Sequence, residues 1–248
     1  MAEIFKIVLY QPILNLLVFL YNIIPGHDLG IAIIILTIII KIIFLPLTKK
    51  SLKSQKALQD LQPKIDEIKK NYADKKEEQA RAMMNLYKEN KVNPFSSCLP
   101  LLIQLPFLIA VFQVFRDGLS NGSLDLVYSF IAKPETVNTI SLGFLNLSAK
   151  NIPLAVLSGL AQYWQSKMMI TKRPSPKSDG AKDEDMMAIM NKQMLYMMPV
   201  LTVFIAMSFP AGLSLYWFIT TVLTGLQQLY LFRKHDSDKK FIDAKIIK

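Results

Sequence analysis

The sequence has little of the chemistry on which enzymes and metal sites depend. It contains one cysteine, Cys98, so an intramolecular disulfide and a multi-cysteine metal site are excluded. Its two histidines, His27 and His235, lie outside the predicted membrane spans, and it has no HExxH, GxSxG or Walker motif. The predicted spans contain no aspartate or glutamate, which argues against intramembrane proteolysis and carboxylate proton relays. We therefore predict a protein that is not an enzyme and that uses no cofactor.

Long hydrophobic runs dominate the composition instead. The chain has 248 residues, of which 52% are hydrophobic. Such runs are typical of helices that cross a bilayer, which need about 20 predominantly apolar residues. The fold class predicted is an all-α polytopic membrane protein. Its five transmembrane helices are expected at 30–48, 94–115, 151–170, 193–209 and 212–232.

The segment before these runs, 1–29, is apolar but interrupted. Gln11, Pro12, Asn15 and Asn22 break its hydrophobic pattern, so it fits an amphipathic helix at the membrane interface about as well as a sixth crossing. We predict the interfacial helix. A removed signal peptide is not expected, because no A-x-A-like cleavage site follows a short apolar core.

Charged residues beside the spans indicate their orientation. Lysine and arginine cluster after the first, third and last spans, whereas the loop 118–150 has two of them against two acidic residues. Because loops rich in positive charge stay in the cytoplasm, 118–150 is predicted to lie outside, and the loop 171–192 and the short basic tail 233–248 inside. With five spans, the N-terminus is expected outside and the C-terminus in the cytoplasm. An Arg-rich, acid-poor transit peptide is not seen, so the predicted location is a bacterial plasma membrane.

One lysine interrupts the first run. In GIAIIILTIIIKIIFLPLT, from Gly30 to Thr48, Lys41 is the only charged residue. A charge within a transmembrane helix costs about 2.5–3.5 kcal/mol on insertion scales, so it is usually kept where it meets water or performs a function. Because a helix rises about 1.5 Å per residue, an unbroken helix would place Lys41 about 10 Å inside the Thr48 end. Its ammonium either snorkels to the interface or faces a hydrated cavity.

Other spans carry polar residues at helical spacing. Gln104 lies mid-span between two prolines, where freed backbone carbonyls add polarity. Taken singly, such side chains bond to their own helix backbone or bridge helices. Together with Lys41 they favour a shared hydrated groove. The other residues at this spacing are Ser158, Gln162 and Gln165 in the third span and Tyr216, Thr220, Thr224 and Gln227 in the last.

The polar segment 49–93 contains two amphipathic patterns. Apolar residues recur there at steps of three and four, with a polar break from Asn71 to Asp74. This spacing predicts a cytoplasmic hairpin of two helices whose apolar stripes pack on each other. The stripes are Leu58, Leu61, Ile65 and Ile68 in the first helix and Ala82, Met83, Leu86 and Tyr87 in the second.

Three stretches of the chain resemble the YidC/Oxa/Alb family of membrane protein insertases, in its short bacterial form. They are KIIFLPLTKKSLKSQKALQDLQPKIDEIKKNY, NPFSSCLPLLIQLPFLIAVFQVF and MMPVLTVFIAMSFPAGLSLYWFITTVLTGLQQLYL, in this order. The resemblance implies a core of five transmembrane helices around a hydrophilic groove that is open to the cytoplasm and the lipid. It also implies that Lys41 takes the place of the groove's positive residue, which is usually arginine in bacterial members. Gln104 would then face the groove, and Tyr216 and Trp217 would line its lipid-facing mouth.

The same resemblance implies an activity and partners. The protein would take client transmembrane segments from the cytoplasm into the bilayer, alone or with the Sec translocon, and would act as a chaperone for them. Nascent membrane proteins, the ribosome and the signal recognition particle receptor are the other implied partners, and no specific nucleic acid is expected. Two alternatives stay open: an anion or small-solute transporter or channel that uses Lys41, and an accessory translocon subunit. The first lacks the repeated halves and paired broken helices common in transporters.

Overall fold

The computed structural model describes residues 2–93, 99–117, 124–169 and 193–246. The predicted cytoplasmic loop 171–192 and Cys98 lie outside the described residues. The chain divides into two compact units. The first consists of Met1–Phe44, Leu101–Gln162 and Pro199–Leu223, and the second of Leu45–Pro100, Tyr163–Met198 and Thr224–Lys248.

The described part of the chain is mainly helical. Besides the α-helices it has π-helical turns at Lys6–Tyr10 and Gln193–Met197 and a short 3-10 helix at Leu124–Leu126. Two short strands, β1 (Ile140–Ser141) and β2 (Leu145–Asn146), pair antiparallel. The helices are α1 (Ala2–Phe5), α2 (Gln11–Ile23), α3 (Leu29–Ile43), α4 (Leu45–Asn71), α5 (Lys76–Glu89), α6 (Leu99–Asp117), α7 (Ile152–Met169), α8 (Met198–Ser208) and α9 (Ala211–Ile246).

A hydrophobic core holds the first unit together. It is built from the facing sides of α2, α3 and α6 and from the start of α9. The outward sides of these helices and of α7 and α8 are also apolar, which is the pattern of helices that contact hydrocarbon and not water. Among the fully buried side chains of this core are Leu14, Leu17, Ile33, Leu36, Val111, Val114, Leu147 and Tyr216.

The N-terminal helical stretch, predicted as an interfacial helix, also has the length and composition of a membrane span. Glu3–Ile23 is long and apolar enough to cross a bilayer by itself. Two of the polar residues that suggested an interfacial helix bond to the backbone of the segment 124–147, which is predicted to lie outside: Gln11 to the Leu126 carbonyl at 3.1 Å, and Asn22 to that of Ala132 at 2.7 Å. Their presence is therefore explained without an aqueous face.

The first predicted span, 30–48, is broken. α3 ends at Ile43 and α4 begins at Leu45, so the two pass as a span only when taken together. Pro46 explains the break, because proline lacks the backbone N–H of a helix interior and is tolerated in the first turn. Two further apolar helices, Gln104–Phe115 and Leu195–Ser208, are shorter than a full crossing. The count of five spans stays a prediction.

The second unit contains the helical hairpin. α4 and α5 are joined by a short turn, and Leu61, Ile65 and Leu86 form a small core between them. α4 starts at Leu45, so it also includes the last residues of the predicted first span. α9 continues without interruption to Ile246, through the predicted end of the last span and most of the predicted tail.

Candidate functional site

Lys41 lies in the last turn of α3, two residues before the helix ends. It therefore lies about 3 Å along the helix axis before the last residue of α3. Its side chain is half-buried, and the following Ile42 and Ile43 are exposed. A cation at this position also stabilises the unpaired carbonyl groups of the helix C-terminus. Lys41 thus places a positive charge at the C-terminal end of an otherwise apolar helix.

Gln104 and Tyr216 are brought together. The Gln104 amide Nε2 donates a 2.7 Å hydrogen bond to the Tyr216 hydroxyl, which joins α6 to α9. Tyr216 is 1% exposed, and the side chain of Thr220, one turn along α9, lies beside its hydroxyl. The three polar side chains form one cluster in the interior of the first unit, and we call it the Gln104 cluster.

An aromatic contact places α3 against α6 near these residues. The rings of Phe44 and Phe107 meet edge to face with centroids 4.7 Å apart. Phe44 follows Lys41 by about one turn, and Phe107 follows Gln104 by about one turn. Lys41 and the Gln104 cluster therefore belong to adjacent helices of the same unit.

The remaining predicted groove residues of the first unit divide into two groups. Trp217 and Gln162 are half-buried, so part of each side chain is accessible. Ser158 is 0% exposed, and its hydroxyl lies within hydrogen-bonding distance of the carbonyls of Leu154 at 2.9 Å and Ser214 at 3.3 Å. Ser158 therefore connects α7 to α9, and its place in a groove stays a prediction.

Three predicted residues lie in the second unit. Gln165, Thr224 and Gln227 are half-buried there. Gln227 contributes to a small apolar cleft, and its Oε1 atom is buried without a hydrogen-bond partner among the described residues. The other residues that line this cleft are Leu45, Thr48, Lys49, Leu52, Tyr230 and Leu231.

The segment 124–147, which is predicted to lie outside and which we call the outer segment, is bonded to α2 and to the start of α3. The sequence did not predict these contacts. Asn15 Oδ1 accepts a 2.6 Å bond from the backbone of Tyr128, and the Tyr21 hydroxyl accepts a 2.8 Å bond from that of Asn138. Asp28 holds Ser141 Oγ and the Leu142 backbone, each at 2.6 Å. These contacts hold residues 124–147 against α2 and the start of α3.

Asp28 has an unusual electrostatic environment for a loop carboxylate. Its Oδ1 also accepts from the backbone N–H groups of Gly30 and Ile31, which caps the N-terminus of α3. Burial alone would raise the pKa of this carboxyl, but the hydrogen bonds from Leu142, Ser141, Ile31 and Gly30 outweigh it and lower the pKa below its ordinary 3.8. Asp28 is therefore ionised at neutral pH.

Comparison with known proteins identifies the family. The sequence model of the family described as 60Kd inner membrane protein matches residues 19–239. A protein of Fusobacterium nucleatum named membrane protein insertase YidC is 35% identical over 228 residues, which are 91% of this chain and 98% of the relative.

Longer relatives carry the same name. A Geotalea daltonii protein is 36% identical over 225 residues, which are 90% of this chain but 37% of the relative. A Geobacter sulfurreducens protein is 36% identical over 227 residues, with 91% and 37% coverage. The chain thus spans little more than a third of these two relatives and nearly all of the first. The match over most of its length, together with the helical fold and apolar outer surface, shows that this chain belongs to the YidC/Oxa/Alb family of membrane proteins.

Proposed function

We propose that this chain inserts client transmembrane segments from the cytoplasm into the bilayer, through a groove that Lys41 and the Gln104 cluster line. The observation that carries the proposal is the family match over 19–239, combined with one cation, Lys41, at the end of an otherwise apolar helix. The names of the relatives favour insertion over solute transport.

The closed outer end supports a groove that opens toward the cytoplasm. The hydrogen bonds of Asn15, Tyr21 and Asp28 hold the outer segment over the ends of α2 and α3. A polar client segment that enters from the cytoplasm then crosses only the remaining part of the bilayer. A shorter path through hydrocarbon lowers the barrier, because each unpaired backbone group in lipid costs several kcal/mol.

Lys41 supplies attraction for acidic residues of the translocated segment. Two unit charges 4 Å apart interact by about 1 kcal/mol in water and about 4 kcal/mol at an effective dielectric constant near 20. A half-buried position such as that of Lys41 lies between these limits. The charge therefore favours clients whose outer segments carry aspartate or glutamate.

The Gln104 cluster supplies hydrogen bonds that can be exchanged. In the absence of a client, the Gln104 amide and the Tyr216 hydroxyl satisfy each other. When a client backbone enters, its N–H and C=O groups replace this bond, so that neither partner is left unpaired. The apolar client helix then partitions into lipid, driven by about 25 cal/mol per Å² of apolar surface removed from water. No nucleotide hydrolysis is required.

A site-specific photocrosslinker in reconstituted protein tests this function. The crosslinker replaces Gln104 in one variant and Ile109 in a matched control, since Ile109 lies on another face of α6 and is exposed. Ribosomes that translate a small single-span client are added to liposomes containing only this protein. Crosslinking and protease protection of the client are scored together.

The proposal predicts a crosslink from position 104 but not from 109, accompanied by protection of the client. Protection without the crosslink would move the client path away from the Gln104 cluster. If neither signal appears, the chain does not insert unaided, and an accessory role beside the Sec translocon or anion transport would replace the proposal.

A further inference from the structure

The β1–β2 hairpin of the outer segment reverses the usual placement of polar and apolar side chains. Ser141 is 2% exposed, whereas Ile140, Leu142 and Phe144 are 49%, 61% and 79% exposed. On a surface in contact with water, a contiguous set of large exposed apolar side chains marks a binding site for a protein or a membrane. This hairpin tip therefore has an apolar environment that the isolated chain does not supply.

The reversal is built into the contacts beneath the hairpin. The Ser141 hydroxyl donates to the Asp28 carboxylate, which turns the polar side of β1 toward α3. Gly30 makes room for this contact, because a Cβ atom there would overlap the Ser141 side chain. The Ser141 side chain is thus fixed inward, and Ile140, Leu142 and Phe144 are left outward.

The turn itself adopts a costly backbone conformation. Leu142 and Gly143 have φ values of 51° and 79°. Glycine tolerates this region, but a leucine there costs about 1–3 kcal/mol. The bond from the Leu142 backbone N–H to Asp28 at 2.6 Å offsets part of that cost. The structure therefore maintains the presentation of these apolar side chains against an unfavourable conformation.

Several backbone N–H groups of the hairpin have partners within it. The Phe144 N–H donates to the Ser141 carbonyl at 3.2 Å, and the Leu147 N–H to that of Thr139 at 2.8 Å. The run 137–148 contains no charged residue. A segment without charges, with satisfied backbone groups, can be partly dehydrated at low cost.

We propose that the tip of this hairpin inserts Leu142 and Phe144 into the outer leaflet of the bilayer, at the boundary between headgroups and acyl chains. A lipid surface fits better than a protein partner, because the run 137–148 offers no charged side chains of the kind that form the rim of a protein interface. Asp28 connects the hairpin to the N-terminus of α3. The insertion thereby fixes the height in the membrane of the helix that carries Lys41.

Fluorescence quenching tests the depth of Phe144 in the full-length protein. Cys98→Ser removes the single cysteine, after which Phe144→Cys and, as a matched control, the exposed Glu135→Cys are labelled with an environment-sensitive fluorophore. Both proteins are reconstituted in phosphatidylethanolamine and phosphatidylglycerol vesicles. Quenching is measured with iodide on both sides of the membrane and with lipids that carry a nitroxide near the top or near the end of the acyl chain.

The proposal predicts a blue-shifted label at position 144 that loses iodide quenching relative to position 135 and is quenched most by the shallow nitroxide. Equal iodide quenching at both positions would overturn it, because the tip would then be in water. A label at 144 that neither quencher reaches would also overturn it, since a protein would cover the tip. Leu142→Cys repeats the test if the thermal unfolding of labelled Phe144→Cys differs from that of its parent. None of these outcomes depends on whether the protein inserts clients.

Discussion

Gln104 and Tyr216, 112 residues apart in the chain, share a 2.7 Å hydrogen bond between the amide Nε2 and the phenol oxygen. The bond connects α6 to α9 at the residues that the sequence assigned separately to a groove. The two polar side chains thus satisfy each other within the first unit. It also makes the two residues energetically dependent on each other, which can be measured.

Tyr216→Phe removes the hydroxyl and leaves the Gln104 amide without its partner. We expect a loss of about 1–2 kcal/mol in the free energy of unfolding, since an unpaired buried polar group costs about that much. Gln104→Leu should cost a similar amount. The free energy of unfolding of the double variant should then fall by clearly less than the sum of the two single losses. Thermal unfolding of the four proteins in detergent would show this. Strictly additive losses would mean that the bond contributes nothing.

Gly159 allows close approach of α7 and α8. A Cβ atom at this position would overlap the side chain of Val203 and lie 3.1 Å from the Pro199 carbonyl oxygen. Gly159→Val should therefore lower the free energy of unfolding by about 1–3 kcal/mol through overpacking. Val156→Leu, on the exposed side of α7, is the control and should leave the unfolding temperature nearly unchanged. Equal effects of both substitutions would argue against this packing.

Asp28→Ala should loosen the outer hairpin. The substitution removes the acceptor for Ser141, for Leu142 and for the first N–H groups of α3, and loss of such a cap costs about 0.5–2 kcal/mol. Hydrogen exchange should accelerate at Leu142 and at Ile31. Glu135→Ala, which changes an exposed carboxylate, should not alter these rates. Unchanged exchange in Asp28→Ala would show that other contacts hold the hairpin.

The same carboxylate predicts a dependence on pH. Burial opposes ionisation of Asp28, but its hydrogen bonds prevail, so its folded pKa is below 3.8. A carboxyl with a lowered folded pKa contributes its full stability above the unfolded pKa and loses it as the pH falls through the folded value. Exchange protection of Leu142, corrected for the intrinsic rate, should therefore be constant from neutral pH to about 3.8 and fall below it. Asp28→Asn should abolish that transition.

The sequence predicted features that depend on local periodicity. Apolar residues that recur every three or four positions indicated the two helices whose contact buries Leu61, Ile65 and Leu86. The steps along the last span placed Tyr216 and Thr220 on one helical face, and the Thr220 side chain lies beside the Tyr216 hydroxyl. The end of α3 was missed although Pro46 signals it, because an apolar run was taken as one span.

The sequence could not predict features that depend on contacts between residues far apart in the chain. Ser158 has the spacing of a groove residue, yet its hydroxyl lies against the Ser214 carbonyl, 56 residues away. Asp28 looks like an ordinary helix cap, and nothing local indicates its bond to Ser141, 113 residues away. Spacing identifies the face of a helix, but only the tertiary packing decides whether that face meets a groove or another helix.

Removal of the Lys41 charge tests most directly whether this protein guides acidic client segments into the bilayer. Purified protein in liposomes would receive two clients that differ only in whether the translocated segment carries acidic residues or their amides. Lys41→Ala should slow insertion of the acidic client about tenfold, equivalent to about 1.4 kcal/mol of barrier, with little effect on the amide client. Lys41→Arg should retain insertion of both. If Lys41→Ala inserts the acidic client at the rate of the unaltered protein, the charge does not guide clients and the central proposal is wrong.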